Sequence, residues 1–115
     1  MPETALSTLT DATFAEVVRN AKLPLVVDFW ADWCPPCRPM ARTLAELADE
    51  FAGRLLIVKI NADENPETTR AYRVLSMPTL LVFDAGTVVH SIVGLRPKSV
   101  LRQSFAGVLT PYANR

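Results

Sequence analysis

Leu25-Val26-Val27-Asp28-Phe29-Trp30 continues through Ala31 and Asp32 into Trp33-Cys34-Pro35-Pro36-Cys37-Arg38, a stretch that holds both cysteines of the chain. Its first part is nearly continuous in apolar character to Ala31, which predicts a central strand covered on both faces, interrupted by Asp28. A helical pattern begins near Pro36, so the stretch reads as a strand-to-helix junction. Two cysteines three positions apart on the first turn of a helix bring their Cα atoms within the roughly 5.5 Å that a disulfide needs. An ordinary thiol, with a pKa of about 8.5, is mostly protonated at neutral pH, yet the thiolate is the species that attacks. The free N–H groups and the positive dipole end of a helix N-terminus favour that anion. Cys34, expected outermost on the turn, is the candidate nucleophile, and Cys37, one turn inward, the candidate resolving thiol.

Working outward, Met40, Leu44, Leu47, Ala48 and Phe51 recur at helical spacing, with Arg42, Glu46 and Asp49 on the other side and Gly53 as the stop. Leu55 to Ile60 reads as a second buried strand, broken by Lys59. Upstream, Thr4 to Leu9 alternates weakly as a short edge strand, and Thr10 or Asp11 is placed to cap a helix carrying Phe14, Val17 and Val18. Downstream, Asn65-Pro66-Glu67 reads as a helix start with Asn65 as the cap, running to Tyr72 or Arg73. Thr79 to Phe83 and Thr87 to Val93 flank Asp84-Ala85-Gly86 and predict an antiparallel hairpin, stopped by Gly94. A last helix starts near Pro97, carries Leu101, Phe105, Val108 and Leu109, and fades around Pro111. The expected fold class is α/β: a mixed central sheet of about five strands flanked on both faces by about four helices. Reactive groups in such sheets gather at the carboxyl ends of central strands, where Cys34 falls.

Residues 1–115 suit a single domain with a real core, half of them being hydrophobic. The 12 basic and 12 acidic residues balance without a run of like charge, so no nucleic acid and no anionic membrane is expected as a partner. The N-terminus lacks a basic segment followed by a long apolar one, which points to a cytoplasmic protein. In a reducing compartment a lone Cys-x-x-Cys is catalytic or metal-binding more often than structural. A closed zinc site needs four ligands, and His90 is the only histidine, so redox chemistry is preferred over a metal site. His90 itself falls in the hairpin, facing solvent, with no assigned work.

The segment Val27-Asp28-Phe29-Trp30-Ala31-Asp32-Trp33-Cys34-Pro35-Pro36-Cys37, joined by Lys59, Met77-Pro78-Thr79, Gly86 and Gly94 at matching spacings, resembles the thioredoxin family from about Ala5 to Tyr112. The thiol chemistry of this motif is a known property of that family. The resemblance implies a thioredoxin fold and a protein-disulfide reductase. Cys34 would attack a substrate disulfide, Cys37 would resolve the mixed disulfide, and Asp28, the family's buried acid, would help deprotonate Cys37, with Lys59 as its partner. Pro78 matches the family's cis proline, although cis is the minority form at an ordinary X-Pro bond. Trp33, Pro36, Met77, Pro78, Thr79, Val93 and Gly94 match the surface where substrate docks. By the same resemblance the protein needs no cofactor of its own, works on disulfide-containing proteins, and is re-reduced by thioredoxin reductase, an NADPH-dependent flavoenzyme; a monomer is the default expectation.

Two departures stand out. Pro35 replaces the family's usual glycine, stiffening the loop and removing an N–H near the Cys34 sulfur, which predicts a shifted potential of unassigned sign. Arg42 stands where the family commonly has a helix-kinking proline, and Pro39 either takes over that role or marks the true helix start. A shifted potential would make the protein an oxidase or isomerase, and a non-enzymatic binding module on the same fold is the reading from another class. Trp30 fits core packing and a place beside the thiols equally well, and Lys59 suits either a functional role or an ammonium reaching water.

Overall fold

The computed structural model describes residues 6–109. Strands β1 (Ser7–Leu9), β2 (Leu25–Trp30), β3 (Leu56–Asn61), β4 (Thr79–Asp84) and β5 (Thr87–Val93) form one sheet in the order β1-β3-β2-β4-β5. The first three are mutually parallel, while β4 runs antiparallel to β2 and β5 antiparallel to β4. Helices α1 (Phe14–Asn20), α2 (Cys37–Glu50), α3 (Pro66–Ala71) and α4 (Lys98–Leu109) supply the connections and the final segment. The expected edge strand is thus three residues, with Thr4 and Ala5 outside the described residues, as are Pro111 and Tyr112.

Because side chains alternate across a strand, β2 serves two cores at once. Val26 joins Met40, Leu44 and Leu47 of α2 and Leu101 and Phe105 of α4 on one face. Leu25, Val27 and Phe29 join Phe14 and Val18 of α1 and Val74 on the other. Each such side chain contributes about 1.5–3 kcal/mol on full burial, which is why the flanking helices need only one apolar stripe each. The same alternation puts Asp28 and Trp30 on the α2 face, with Lys59 the register partner of Asp28 on β3. Charge therefore enters this layer at the end where the cysteines lie.

Two expected caps are corrected. Neither Thr10 nor Asp11 caps α1 through its side chain, since the first residue before it is Thr13, whose hydroxyl accepts the Thr10 N–H at 3.0 Å. Asn65 precedes α3 without capping it; its Oδ1 accepts the Asp11 N–H at 2.8 Å and its Nδ2 donates to the Asn61 carbonyl. The Asp11 carboxylate takes the α3 N–H groups instead, from Thr68 at 2.8 Å and Glu67 at 3.2 Å; desolvation raises its pKa, but the Thr68 hydroxyl together with these two N–H groups outweighs that and holds it below the usual value. An acid at the positive end of α3 is what the sequence pattern required, but it comes from a distant loop.

Helix α3 ends with Arg73 at φ 55°, the Arg73 N–H on the Arg70 carbonyl and the Val74 N–H on that of Thr69. This pair of bonds is the helix-terminating arrangement that favours glycine at the left-handed position. Arg73→Gly is expected to raise stability by up to about 1 kcal/mol in denaturant titrations, the left-handed penalty less the added freedom of the unfolded chain. In the hairpin, Ala85 (φ 52°) and Gly86 (φ 82°) form the two-residue turn whose twist suits antiparallel strands.

Candidate functional site

Strand β2 delivers the chain into a loop in which the Cys34 N–H donates to the Ala31 carbonyl at 3.2 Å and the Cys37 N–H to the Cys34 carbonyl at 3.1 Å. Cys34 and Cys37 are joined as a disulfide with their Cα atoms 5.4 Å apart. The expectation that both lie on the first helical turn is corrected: α2 begins at Cys37, with Pro36 at its cap position. A residue preceding proline is pushed out of the helical region, so Pro35 keeps Cys34 off the helix and just beyond its N-terminal end. Pro39 falls in the first turn of α2, where a missing N–H has no helical partner to lose; it marks the helix start.

Exposure does not set Cys34 outside Cys37. In the disulfide form the two residues are 2% and 4% exposed, packed against Ala31 with Trp30 and Met77 alongside. The packing of Met77 against them joins segments far apart in sequence, which no local pattern encodes. Around them, the Met77–Pro78 peptide is cis, as the resemblance implied, and Pro78 is buried. Thr79 is buried too, its hydroxyl donating to the Ser76 carbonyl at 2.7 Å. The Gly94 N–H donates to the Pro78 carbonyl at 2.8 Å and ties the end of β5 to the proline loop. Gly94 adopts φ 87°, a conformation that side chains resist. Val93 and Trp33 are exposed and Pro36 is half-buried.

Trp33 is held by its indole N–H donating to Asp63 at 2.7 Å. Asp63 is placed in turn by Asn61, whose side-chain oxygen accepts the Asp63 and Glu64 N–H groups at 2.9 and 3.1 Å. Neither Asn61 nor Asp63 was singled out from the sequence. The signal was Asn61-Ala62-Asp63 directly after a buried strand, a pattern in which asparagine folds the following backbone onto itself.

Behind the disulfide, a recess of ≈ 210 Å³ is lined by Asp28, Trp30, Ala31, Asp32, Cys37, Arg38, Ala41 and Lys59. Asp28 is 1% exposed and desolvation pushes its pKa up to about 7, with the Lys59 charge working against the rise. Among the described residues no ion pair within 4.0 Å joins the two; the Lys59 ammonium instead sits 5.5 Å from the centre of the Trp30 ring. Lys59 is thus half-buried beside the acid rather than bonded to it. A carboxyl pushed toward neutrality by burial, lining the recess that Cys37 also lines, can take up or release a proton at neutral pH.

No cluster of three or more His, Cys, Asp or Glu suited to a metal occurs among the described residues, and no helix among them is long and apolar enough to cross a membrane. The arrangement can carry out dithiol–disulfide exchange. Comparison with known proteins agrees: the family model described as Thioredoxin matches residues 5–106. The chain is 46% identical to a thioredoxin of Alicyclobacillus acidocaldarius subsp. acidocaldarius over 91% of its own length and 99% of that protein's. It is 48% identical to a thioredoxin of Streptomyces clavuligerus, over 84% and 89% of the two chains, and 42% identical to thioredoxin 1 of a Nostoc strain, over 87% and 94%.

Proposed function

This chain belongs to the thioredoxin family and is a thiol-disulfide oxidoreductase, and from that premise we propose the division of labour among its residues. Cys34, off the positive end of α2, attacks one sulfur of a substrate disulfide, and the other substrate sulfur leaves as a thiolate. Asp28 takes the proton of Cys37, Cys37 attacks Cys34, and the second substrate sulfur is released. The product is a dithiol, and the pair ends as the disulfide observed here. Lys59 limits the rise in the Asp28 pKa. Trp33, Pro36, Met77, Pro78, Thr79, Val93 and Gly94 form the surface that receives the substrate chain. The observation that carries this assignment is Asp28, 1% exposed, lining the same recess as Cys37, where desolvation pushes its pKa up.

We further infer a cytoplasmic, single-domain, monomeric reductant that is recharged by NADPH-dependent thioredoxin reductase. In a mixture of NADPH, that flavoenzyme and insulin, NADPH consumption should require this chain. Reduction of insulin by the chain with dithiothreitol but not with the flavoenzyme would overturn the partner assignment.

Pro35 sets the potential. Glycine at 35 adds an N–H donor beside the Cys34 thiolate and frees a loop that gains most when the disulfide opens, so both effects favour the dithiol. Pro35→Gly should shift the equilibrium with glutathione toward the reduced protein by roughly threefold to tenfold. An unchanged equilibrium constant would remove Pro35 from the tuning residues.

A further inference from the structure

The methionines of this chain are Met1, Met40 and Met77, and the fold treats the latter two in opposite ways. Met40 is 0% exposed, sealed among Val26, Leu44 and Leu101 in the core that α2 and α4 share with the sheet. Met77 is only half-buried and packs against Ala31, Cys34 and Cys37. A thioether is a soft, polarizable sulfur that fills such an irregular contact, and it is also a group that peroxides convert to a sulfoxide. Cys34 and Cys37 are 2% and 4% exposed, and once joined they carry no thiolate to react with a peroxide. The thioether beside them needs no deprotonation, and solvent reaches its residue. Two donors of the same loop region are already committed, the Thr79 hydroxyl to the Ser76 carbonyl and the Gly94 N–H to the Pro78 carbonyl. An oxygen added to Met77 thus enters a contact made with apolar side chains and a disulfide.

We propose that Met77 is a modification site: hydroperoxides oxidise its thioether to the sulfoxide while the neighbouring disulfide is closed, and the polar group so formed weakens docking of disulfide substrates. This rests on Met77 belonging to the surface that receives the substrate chain. In the step, a sulfur lone pair attacks the outer oxygen of the hydroperoxide and the O–O bond breaks. The sulfur keeps that oxygen, and water or an alcohol leaves with the proton. The thioether loses two electrons and the peroxide gains them. An apolar side chain becomes polar and chiral, and a substrate seated on it strips water from the new oxygen without supplying a bond in return. A methionine sulfoxide reductase, given two electrons by a dithiol, reverses the change. Neither cysteine takes part, so the site responds to peroxide in the state where the closed pair no longer does.

The test treats the disulfide form with hydrogen peroxide in the presence of N-acetylmethionine. Peptide mass mapping should find an added oxygen on Met77 at about ten times the level on Met40 or more. After removal of peroxide and reduction with dithiothreitol, kcat/KM for insulin should be about tenfold lower, through KM. Treatment with both stereospecific methionine sulfoxide reductases should restore it. Met77→Leu, compared with its own untreated activity, should lose nothing, and Met77→Gln, polar at similar length, should show the raised KM without peroxide. Met77 left unmodified while N-acetylmethionine is oxidised overturns the proposal. An equal loss in Met77→Leu traces the effect to another group and overturns it as well. If Met77 is oxidised and KM stays unchanged, the effect on docking is overturned. Met77→Gln then separates the two readings: a raised KM leaves Met77 in the substrate surface, and a parental KM removes it from there too.

Discussion

Cys37→Ser should convert the protein from a catalyst into a trap. Cys34 keeps its place off the end of α2, and the Cys34 N–H bond to Ala31 does not involve the changed side chain, so attack on a substrate disulfide proceeds. The hydroxyl that replaces the second thiol is no thiolate source at neutral pH and cannot displace the substrate sulfur. A stoichiometric mixed disulfide accumulates, visible by intact mass and reversed by added dithiol. Turnover falls by at least about a thousandfold, the scale on which loss of a reacting group is felt. Cys34→Ser should be equally inactive yet give no adduct, because Cys37 lies within the first turn of α2 and lines the recess behind the disulfide, whereas Cys34 lies off the helix end. Comparable adduct from both variants would undo the assignment of nucleophile and resolving thiol.

Asp28→Asn should make the protein more stable, and by an amount that depends on pH. The carboxyl titrates at about 7 in the folded protein against 3.8 for the free group. Between those values the folded state binds more protons than the unfolded state, so stability falls as pH rises through that window. At about 1.4 kcal/mol per pH unit the loss totals roughly 4 kcal/mol by about pH 8, and is absent below about pH 4. The asparagine variant, which never ionises, should match the parent protein in acid and exceed it by roughly that amount above pH 8. Denaturant titrations of the oxidised forms across this range check it. A difference that stays constant with pH would mean that the buried carboxyl is not the source. The same variant should resolve mixed disulfides slowly, so stability here is given up for a base that works at neutral pH.

What the sequence made legible follows from periodicity. The apolar run at 25–30, broken only by Asp28, announced a strand covered on both faces, and the positions of Met40, Leu44 and Leu47 announced the helix above it, because burial selects those patterns locally. Lys59 was set beside Asp28 by the family resemblance alone, and the register of two adjacent strands is what places it there. What stayed hidden was set by contacts between distant segments. Asp11 looked like a cap for its own helix and serves another one, since a free carboxylate takes whichever N–H groups the fold brings near. Cys34 looked exposed by its place in the motif, and the loop packs it under Met77 and Trp30. Asp63 was invisible as a holder of Trp33 because it lies 30 residues away in sequence.

The exchange between Asp11 and Asn65 has a further consequence for anyone recombining this protein. One side chain closes the loop after β1 while the other anchors the first turn of α3, so each segment carries the other's missing partner. A chimera that imports residues 6–21 alone from a donor lacking that aspartate would strand two amides at the start of a distant helix, however well the imported piece folded by itself. Crossover points are better placed so that positions 11 and 65 are inherited together.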